Sequence, residues 1–394
     1  MSLACGTGRA VRSSMGSATQ LRAPLGFSRP DDVGPDHERE GMRRARTMSP
    51  GDETSGRAYD MVSCDLRDCA EPSTTQPGLL AGGWEAVDLA SNAALVAGLQ
   101  TVRADDRIED DVAEAIQASL MGSVIPLADG SAIRVEFISE DGLIHRRAGP
   151  NGLDVNPGGM DGMNGHDGAA GIHGDQDVFG TPLRQTMAGK APEVFRHQTP
   201  DGSNLESTTM LLNLWMPVQQ ATRPLVLMDR RTLDQQRDQL RYGLPVGGFL
   251  DRDEDARIND IWTFLADEDQ DWYFHSTMGL GDAYLFDTLG TPHGSCCLPG
   301  EDVLEQFVVD LRSGQELLAR GDVAAAQSIA ARLRLPLPEV TTEPIRDAWK
   351  RLGALLDELR DGPADDWSAR AEHAIDSVIR KSVELRLVGS VITA

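Results

Sequence analysis

A histidine and an aspartate two positions apart, His173-Gly174-Asp175, are the residues of this sequence best suited to chemistry. On an extended strand the side chains at i and i+2 share a face, so an imidazole and a carboxylate can grip one metal ion. A second imidazole from a distant strand would complete a two-histidine, one-carboxylate face and leave coordination positions open. Such a face suits iron(II), which can then take a bidentate co-substrate and O₂ side by side; thiolate-rich sites would point to zinc instead. Two histidines compete for the third place. His293 follows an apolar run and a proline turn in LGTPHGS, and His275 lies in DWYFHS. With eight histidines and 62 acidic residues in 394, an H-x-D/E pair is expected by chance alone, so this spacing needs support from its surroundings.

The elements that must position these residues are mostly strands. SAIRVEFIS alternates Ile133, Val135 and Phe137 with Arg134 and Glu136, and the turn dipeptides Asp129-Gly130 and Asp141-Gly142 bracket it, as in a β-meander. TMLLNLWMPV, ending at Pro217, RPLVLMD, DWYFHS and DAYLFDTLG read as further strands, and the polar stretch 230–260 reads as loop and short helix. Residues 148–171 form a long Gly/Asn/Asp-rich loop. Helical spacing governs 86–120. It returns over 301–380, where Leu304, Phe307, Val308 and Leu311 mark one stripe and Ile345, Trp349, Leu352, Leu356 and Leu359 another. Thr342 followed by Pro344 suits a helix start. KSVELRLVGSVI closes the chain as an alternating strand.

Four segments follow from this pattern. Residues 1–80, rich in Gly, Ser, Pro, Arg and Asp, are expected to be disordered. Residues 81–300 form a strand-rich core with helices at its start, 301–379 a helical insertion, and 380–394 a strand that returns to the core.

Composition limits the function classes. The 62 acidic and 37 basic residues give a net charge of −25, which opposes sequence-independent binding to nucleic acid and to anionic membranes. No apolar run reaches the length of a membrane-spanning helix. Five cysteines without a C-x-x-C pair imply neither a disulfide framework nor a zinc ribbon. The Arg-rich N-terminus lacks the apolar segment of a secretory signal, so a reducing cytoplasm is the expected compartment.

Several short stretches come in a set order. His173, Asp175 and Gln176 are followed by Asn213, Trp215 and Pro217, then by Pro224, Leu225 and Asp229. Next come Trp272, Tyr273, Phe274 and Met278, and finally Ser382, Val383, Glu384, Leu385 and Arg386. Together they resemble a hydroxylase/desaturase family of Fe(II)/2-oxoglutarate-dependent oxygenases of secondary metabolism. That family includes the cephamycin 7α-hydroxylase component and fungal meroterpenoid oxygenases. The likeness covers about 170–300 and 380–394.

The resemblance implies a double-stranded β-helix (jelly-roll, cupin-like) core, mainly β with helices. It implies Fe(II) bound by His173, Asp175 and His293, with 2-oxoglutarate as co-substrate and O₂ as oxidant. Arg386 would pair with the distal carboxylate of 2-oxoglutarate, as a planar guanidinium fork suits, and Asn213 would reach the co-substrate or satisfy a buried strand. Arg312 is the fallback anchor, because the helical segment separates Cys297 from Lys381. The implied reaction hydroxylates or desaturates an unactivated C–H of a small molecule. Halogenation is disfavoured, since Asp175 stands where a halide would bind. The same barrel could instead serve a non-catalytic binding protein or a non-oxidative metal-dependent cupin-type enzyme. The helical insertion is open to roles as a lid, a homodimer interface or a carrier-protein dock.

Overall fold

The computed structural model describes residues 20–37, 43–45, 59–139, 143–175, 195–196, 207–245 and 258–393. Its strands are β1 (Arg22–Phe27), β2 (Val33–His37), β3 (Arg43–Ala45), β4 (Asp60–Asp68), β5 (Trp84–Asp88), β6 (Val124–Pro126), β7 (Ala132–Ile138), β8 (Ile144–Ala148) and β9 (His173–Gly174). They continue as β10 (Thr209–Gln219), β11 (Leu225–Met228), β12 (Gln239–Pro245), β13 (Ile258–Phe264), β14 (Trp272–Phe274), β15 (Asp282–Asp287), β16 (His293–Ser295) and β17 (Arg380–Ile392). The longer helices are α1 (Ala93–Asp105), α2 (Asp110–Leu120), α3 (Glu301–Ala319), α4 (Val323–Ala330), α5 (Glu343–Asp361) and α6 (Trp367–Asp376).

The strands make two sheets. One has the order β5-β15-β10-β17-β7-β6, with β8 also paired to β17; the other runs β1-β4-β14-β11-β16-β9-β13-β12-β3-β2. From β8 to β11 the chain changes sheet at every strand, and it does so again from β14 to β17. This alternation between two curled, facing sheets is that of a jelly-roll core.

Strand periodicity then sorts the side chains into layers. Met210, Leu212 and Leu214 of β10 and Val383, Leu385 and Leu387 of β17 turn outward and form one cluster with Leu95, Leu99 and Ile116 of α1 and α2. Val226 and Met228 of β11 and Trp272 and Phe274 of β14 turn outward from the second sheet and join Leu304, Phe307, Leu311, Leu352 and Leu356 of the helical block. Between the sheets lies an aromatic cluster of Trp84, Trp215, Leu225, Leu227, Tyr273, Tyr284 and Phe286. The layers are thus helix, sheet, sheet, helix. The stripes read on α3 and α5 face the second sheet and each other, each fully buried residue of this kind contributing about 1.5–3 kcal/mol.

Four expectations are corrected. The segment 1–80 is not uniformly disordered: β1 pairs with β4, and β4 runs parallel to β14. Ala23, Leu25 and Phe27 bury one face of β1 in the second core, a period of two interrupted by Pro24 and Gly26, which disguise it. Residues 84–88 are strand, because they edge β15 before the first helix begins. Gln239–Pro245 and Ile258–Phe264 pair as a hairpin within the stretch read as loop. Phe137 is 54% exposed, because the pairing slips between Val388 and Gly389 and turns it out of the alternation. The Asp141-Gly142 turn and Gln176 lie outside the described residues. Among the described residues no helix is long and apolar enough to cross a membrane.

Candidate metal centre

The two-residue strand β9 lies between β13 and β16, with His173 opposite Thr263 on one side and His293 on the other. Gly174 lets it approach so closely: a Cβ there would stand 3.3 Å from the Trp262 side chain. Direct pairing across the sheet brings the two imidazoles together, with ring centroids 4.4 Å apart. Asp175, just past the strand, turns back to both. Its Oδ1 lies 3.3 Å from His173 Nε2, and its Oδ2 lies 3.6 Å from His293 Nε2. Donor atoms of His173, Asp175 and His293 all fall within 4.8 Å of one another, the one such group among the described residues.

Both rings are oriented from behind. Nδ1 of His173 donates to the Gly171 carbonyl and Nδ1 of His293 to the Thr291 carbonyl, each at 2.9 Å. A carbonyl can only accept, so Nδ1 carries the hydrogen and the Nε2 lone pairs converge on one point. Burial pushes the Asp175 carboxyl up, but in the metal-free chain the His293 charge and hydrogen bonds from both imidazoles in their protonated form outweigh it and hold the group well below its ordinary range. Burial depresses His293, yet Asp175 overrides this and raises it. Two neutral-capable imidazoles and one ionised carboxylate form a donor set that can hold a divalent metal, iron(II) included.

His275 is not part of this group. Its Nδ1 accepts from Thr277 N–H at 3.3 Å, closing the turn after β14. Arg312 lies on α3, in the layer that covers the outside of the second sheet.

Asn213 sits behind Asp175, and its amide is fully engaged. Its Nδ2 donates to Asp175 and, at 3.2 Å, to Glu384; its Oδ1 accepts from Thr288 at 2.9 Å and from Arg386 Nε at 3.4 Å. That is the whole capacity of a carboxamide in two donors and two lone pairs. Glu384 is held further by Arg146 at 2.8 Å. The geometry therefore gives Asn213 the task of fixing Asp175.

β17 points a row of polar residues between the sheets: Arg380, Ser382, Glu384 and Arg386. Arg386 is in register with Asn213, and its Nη2 stands 3.8 Å from Asp175 Oδ2. Arg380 is different. It is 1% exposed, its Nε and Nη2 have no hydrogen-bond partner, and the hydroxyl of Ser382 beside it has none either. Burial first, then repulsion from Arg223 and Arg146, lowers its pKa to about 9. Arg380 Nη2 and Ser295 Oγ both crowd the position a Cβ would take on Gly168, at 2.7 and 3.2 Å. Ser295 is two residues beyond His293 on β16 and so shares its face of that strand. The sequence reading passes over Arg380 and names Ser382 only as a residue of the family-like stretch, with no role. Extending the period-two pattern of β17 back from Arg386 would have found both on the same face.

No protein-family model matches the chain, and no curated protein matches it in sequence. Among solved structures the fold is similar to that of an iron and alpha-ketoglutarate-dependent endoperoxidase, NvfI. The identity is 12% and the TM-score 0.47, over 95% of this chain and 99% of that chain. A single-substitution variant of NvfI gives 12% and 0.47 over 96% and 99%, and NvfI in a different conformation 14% and 0.47 over 95% and 99%.

Proposed function

We propose that this protein is a non-haem iron(II) oxygenase that uses 2-oxoglutarate and O₂ to hydroxylate or desaturate an unactivated C–H of a small molecule. The observation that carries this reading is a pairing. A two-histidine, one-carboxylate face and a buried guanidinium whose Nε and Nη2 lack hydrogen-bond acceptors both lie between the two sheets. A buried cation without partners is costly, and an anion that reaches it from the metal answers that cost. A five-carbon diacid has the reach to do so, its keto-acid end at the metal and its far carboxylate on Arg380 and Ser382. Arg380 thus takes the anchoring role expected of Arg386 or Arg312.

In this reading His173, Asp175 and His293 hold the metal, which supplies O₂ activation and the oxidising power for C–H attack when bound. The remaining work belongs to the protein. Asn213 fixes the Asp175 carboxylate, the Gly171 and Thr291 carbonyls fix the imidazoles, and Arg380 with Ser382 orients the co-substrate. Phe286, whose ring lies 4.6 Å from that of His293, and the aromatic cluster beyond it keep water from one side of the site.

Anaerobic addition of Fe(II) and then 2-oxoglutarate tests this directly. Bidentate binding should give a weak charge-transfer absorption near ~500 nm. Its absence at saturating iron and co-substrate would rule the reading out.

A further inference from the structure

Two arginines share the inner face of β17, and the co-substrate needs only one of them. We propose that the other, Arg386, receives a carboxylate of the substrate, so that the molecule oxidised is a small organic acid. This inference rests on the oxygenase reading above.

The two guanidinium groups stand in opposite circumstances. Arg380 is enclosed, whereas the Arg386 side chain is 32% exposed and level with the metal ligands. It therefore keeps surface that a bound molecule can reach. Arg386 also has a single hydrogen-bond acceptor among the described residues. Its one hydrogen bond, from Nε to Asn213, is long at 3.4 Å, and its nearest carboxylate oxygen is 3.8 Å away, beyond hydrogen-bond reach. The carboxylates nearby are engaged elsewhere. Asp175 faces two imidazoles and Asn213, and Glu384 is bound by Arg146 and Asn213.

A charge count leads to the same residue. A divalent metal, the Asp175 carboxylate, a dianionic co-substrate and Arg380 sum to zero. Glu384 and Arg146 cancel as a pair. Among the described residues of this group, Arg386 is left as the one positive charge not cancelled, in a chain whose net charge is −25. Its planar fork matches a carboxylate better than any neutral group, and desolvation by a bound substrate would strengthen the pair. Position beside the metal would let this one contact select acids and also hold them in a fixed orientation for attack.

The test uses the full chain loaded with Co(II) and saturated with N-oxalylglycine, a non-reacting mimic of 2-oxoglutarate. Phenylacetate and hexanoate are titrated against phenylacetamide and hexanamide, with calorimetry and the cobalt visible spectrum as readouts. The acids should bind at least about tenfold more tightly than the amides, a preference that Arg386→Gln removes and Arg386→Lys restores in part. Co(II) retention and N-oxalylglycine affinity should hardly change in either variant. Equal binding of acids and amides by the unaltered protein would overturn the inference, as would an acid preference that survives Arg386→Gln. Loss of Co(II) from Arg386→Gln would also overturn it, making Arg386 a positioning group for Asp175. Failure of N-oxalylglycine to bind the unaltered protein is read in its own titration, and defeats the oxygenase reading itself.

Discussion

The two faces of β17 obey different rules. Outward, Val383, Leu385 and Leu387 are fully buried among aliphatic side chains of β10, α1 and α2. Inward, Arg380 and Ser382 are as deeply buried and Glu384 is buried too, yet every one is polar. Burying polar and charged groups is unfavourable unless each finds a partner. Glu384 finds Arg146 and Asn213, whereas Nε and Nη2 of Arg380, whose guanidinium lies over the Trp215 ring, and the Ser382 hydroxyl find no hydrogen-bond partner. A strand selected only for stability would not carry this row. The outward face explains why the barrel folds, and the inward face explains what it is shaped to hold.

The largest expected effects break the inward side alone. His173→Ala and Asp175→Ala should each abolish Fe(II) retention, because losing one of three protein ligands destroys the chelate, while the circular dichroism spectrum stays that of the folded chain. Retained iron in both variants would place the metal elsewhere. Arg380→Ala should keep iron and lose 2-oxoglutarate. Removing one partner of a buried charge pair typically costs ~2–5 kcal/mol, which is ~30- to several-thousand-fold in Kd at ~1.4 kcal/mol per tenfold. Arg380→Met, which keeps more of the side-chain volume, should show the same loss. If Arg312→Ala or Arg386→Ala shows it instead, the anchor is one of those residues.

Much of the inward face is legible in the sequence, because strand period is a strict rule. His173 and Asp175 announce a shared face, and KSVELRLV reads as a strand with charged and aliphatic residues alternating. What the sequence leaves open is pairing across 120 residues. Nothing local to His293 or His275 says which of them lies beside His173; the β9–β16 register decides it. Arg380 is hidden for another reason. It sits at a helix-to-strand junction, where no pattern shows whether the strand has yet begun. β1 is missed because Pro24 and Gly26, poor strand formers, occupy the face opposite Ala23, Leu25 and Phe27, whose alternation alone records its burial. The helical stripes are plain, but a stripe does not name its partner. It is the sheet contacts of Leu304 and Phe307 that make the block a layer of the fold.

On the outward side the expected effect is stability without a change in affinity. Leu385→Ala removes a side chain with no exposed surface between β10 and the α1–α2 layer. A Leu→Ala change at such a site costs ~2–5 kcal/mol, and urea unfolding should record it. The variant that remains folded should bind Co(II) and N-oxalylglycine as the unaltered protein does. A fall in affinity matching the fall in stability would mean the two faces are mechanically coupled.

The outward side also buries polar groups, Lys381 and His145 among them, and His145 gives the finest test of the contrast. His145 lies opposite Val383 on β8, has no exposed surface, and neither of its ring nitrogens has a hydrogen-bond partner. Burial drives its pKa down; Asp106, 4.0 Å away, resists, and the charges of Arg147 and Lys381 assist, leaving it at about 4. The ring is therefore neutral in the folded chain at pH 7. In the unfolded chain it titrates near its ordinary 6.5. Above 6.5 both states are neutral, and the residue contributes nothing to the pH dependence. As pH falls from 6.5 towards about 4, the unfolded state takes up a proton that the folded state refuses, so stability declines with acid. At 1.36 kcal/mol per unit the loss from this one group approaches about 3 kcal/mol and levels off below pH 4. His145→Leu should remove that component, so its advantage over the unaltered protein should grow by about that much between pH 7 and 4. Iron and co-substrate affinity at pH 7 should be the same in both. Parallel stability curves over that interval would show that the ring titrates normally, and that the outward face is wetter around His145 than its packing indicates.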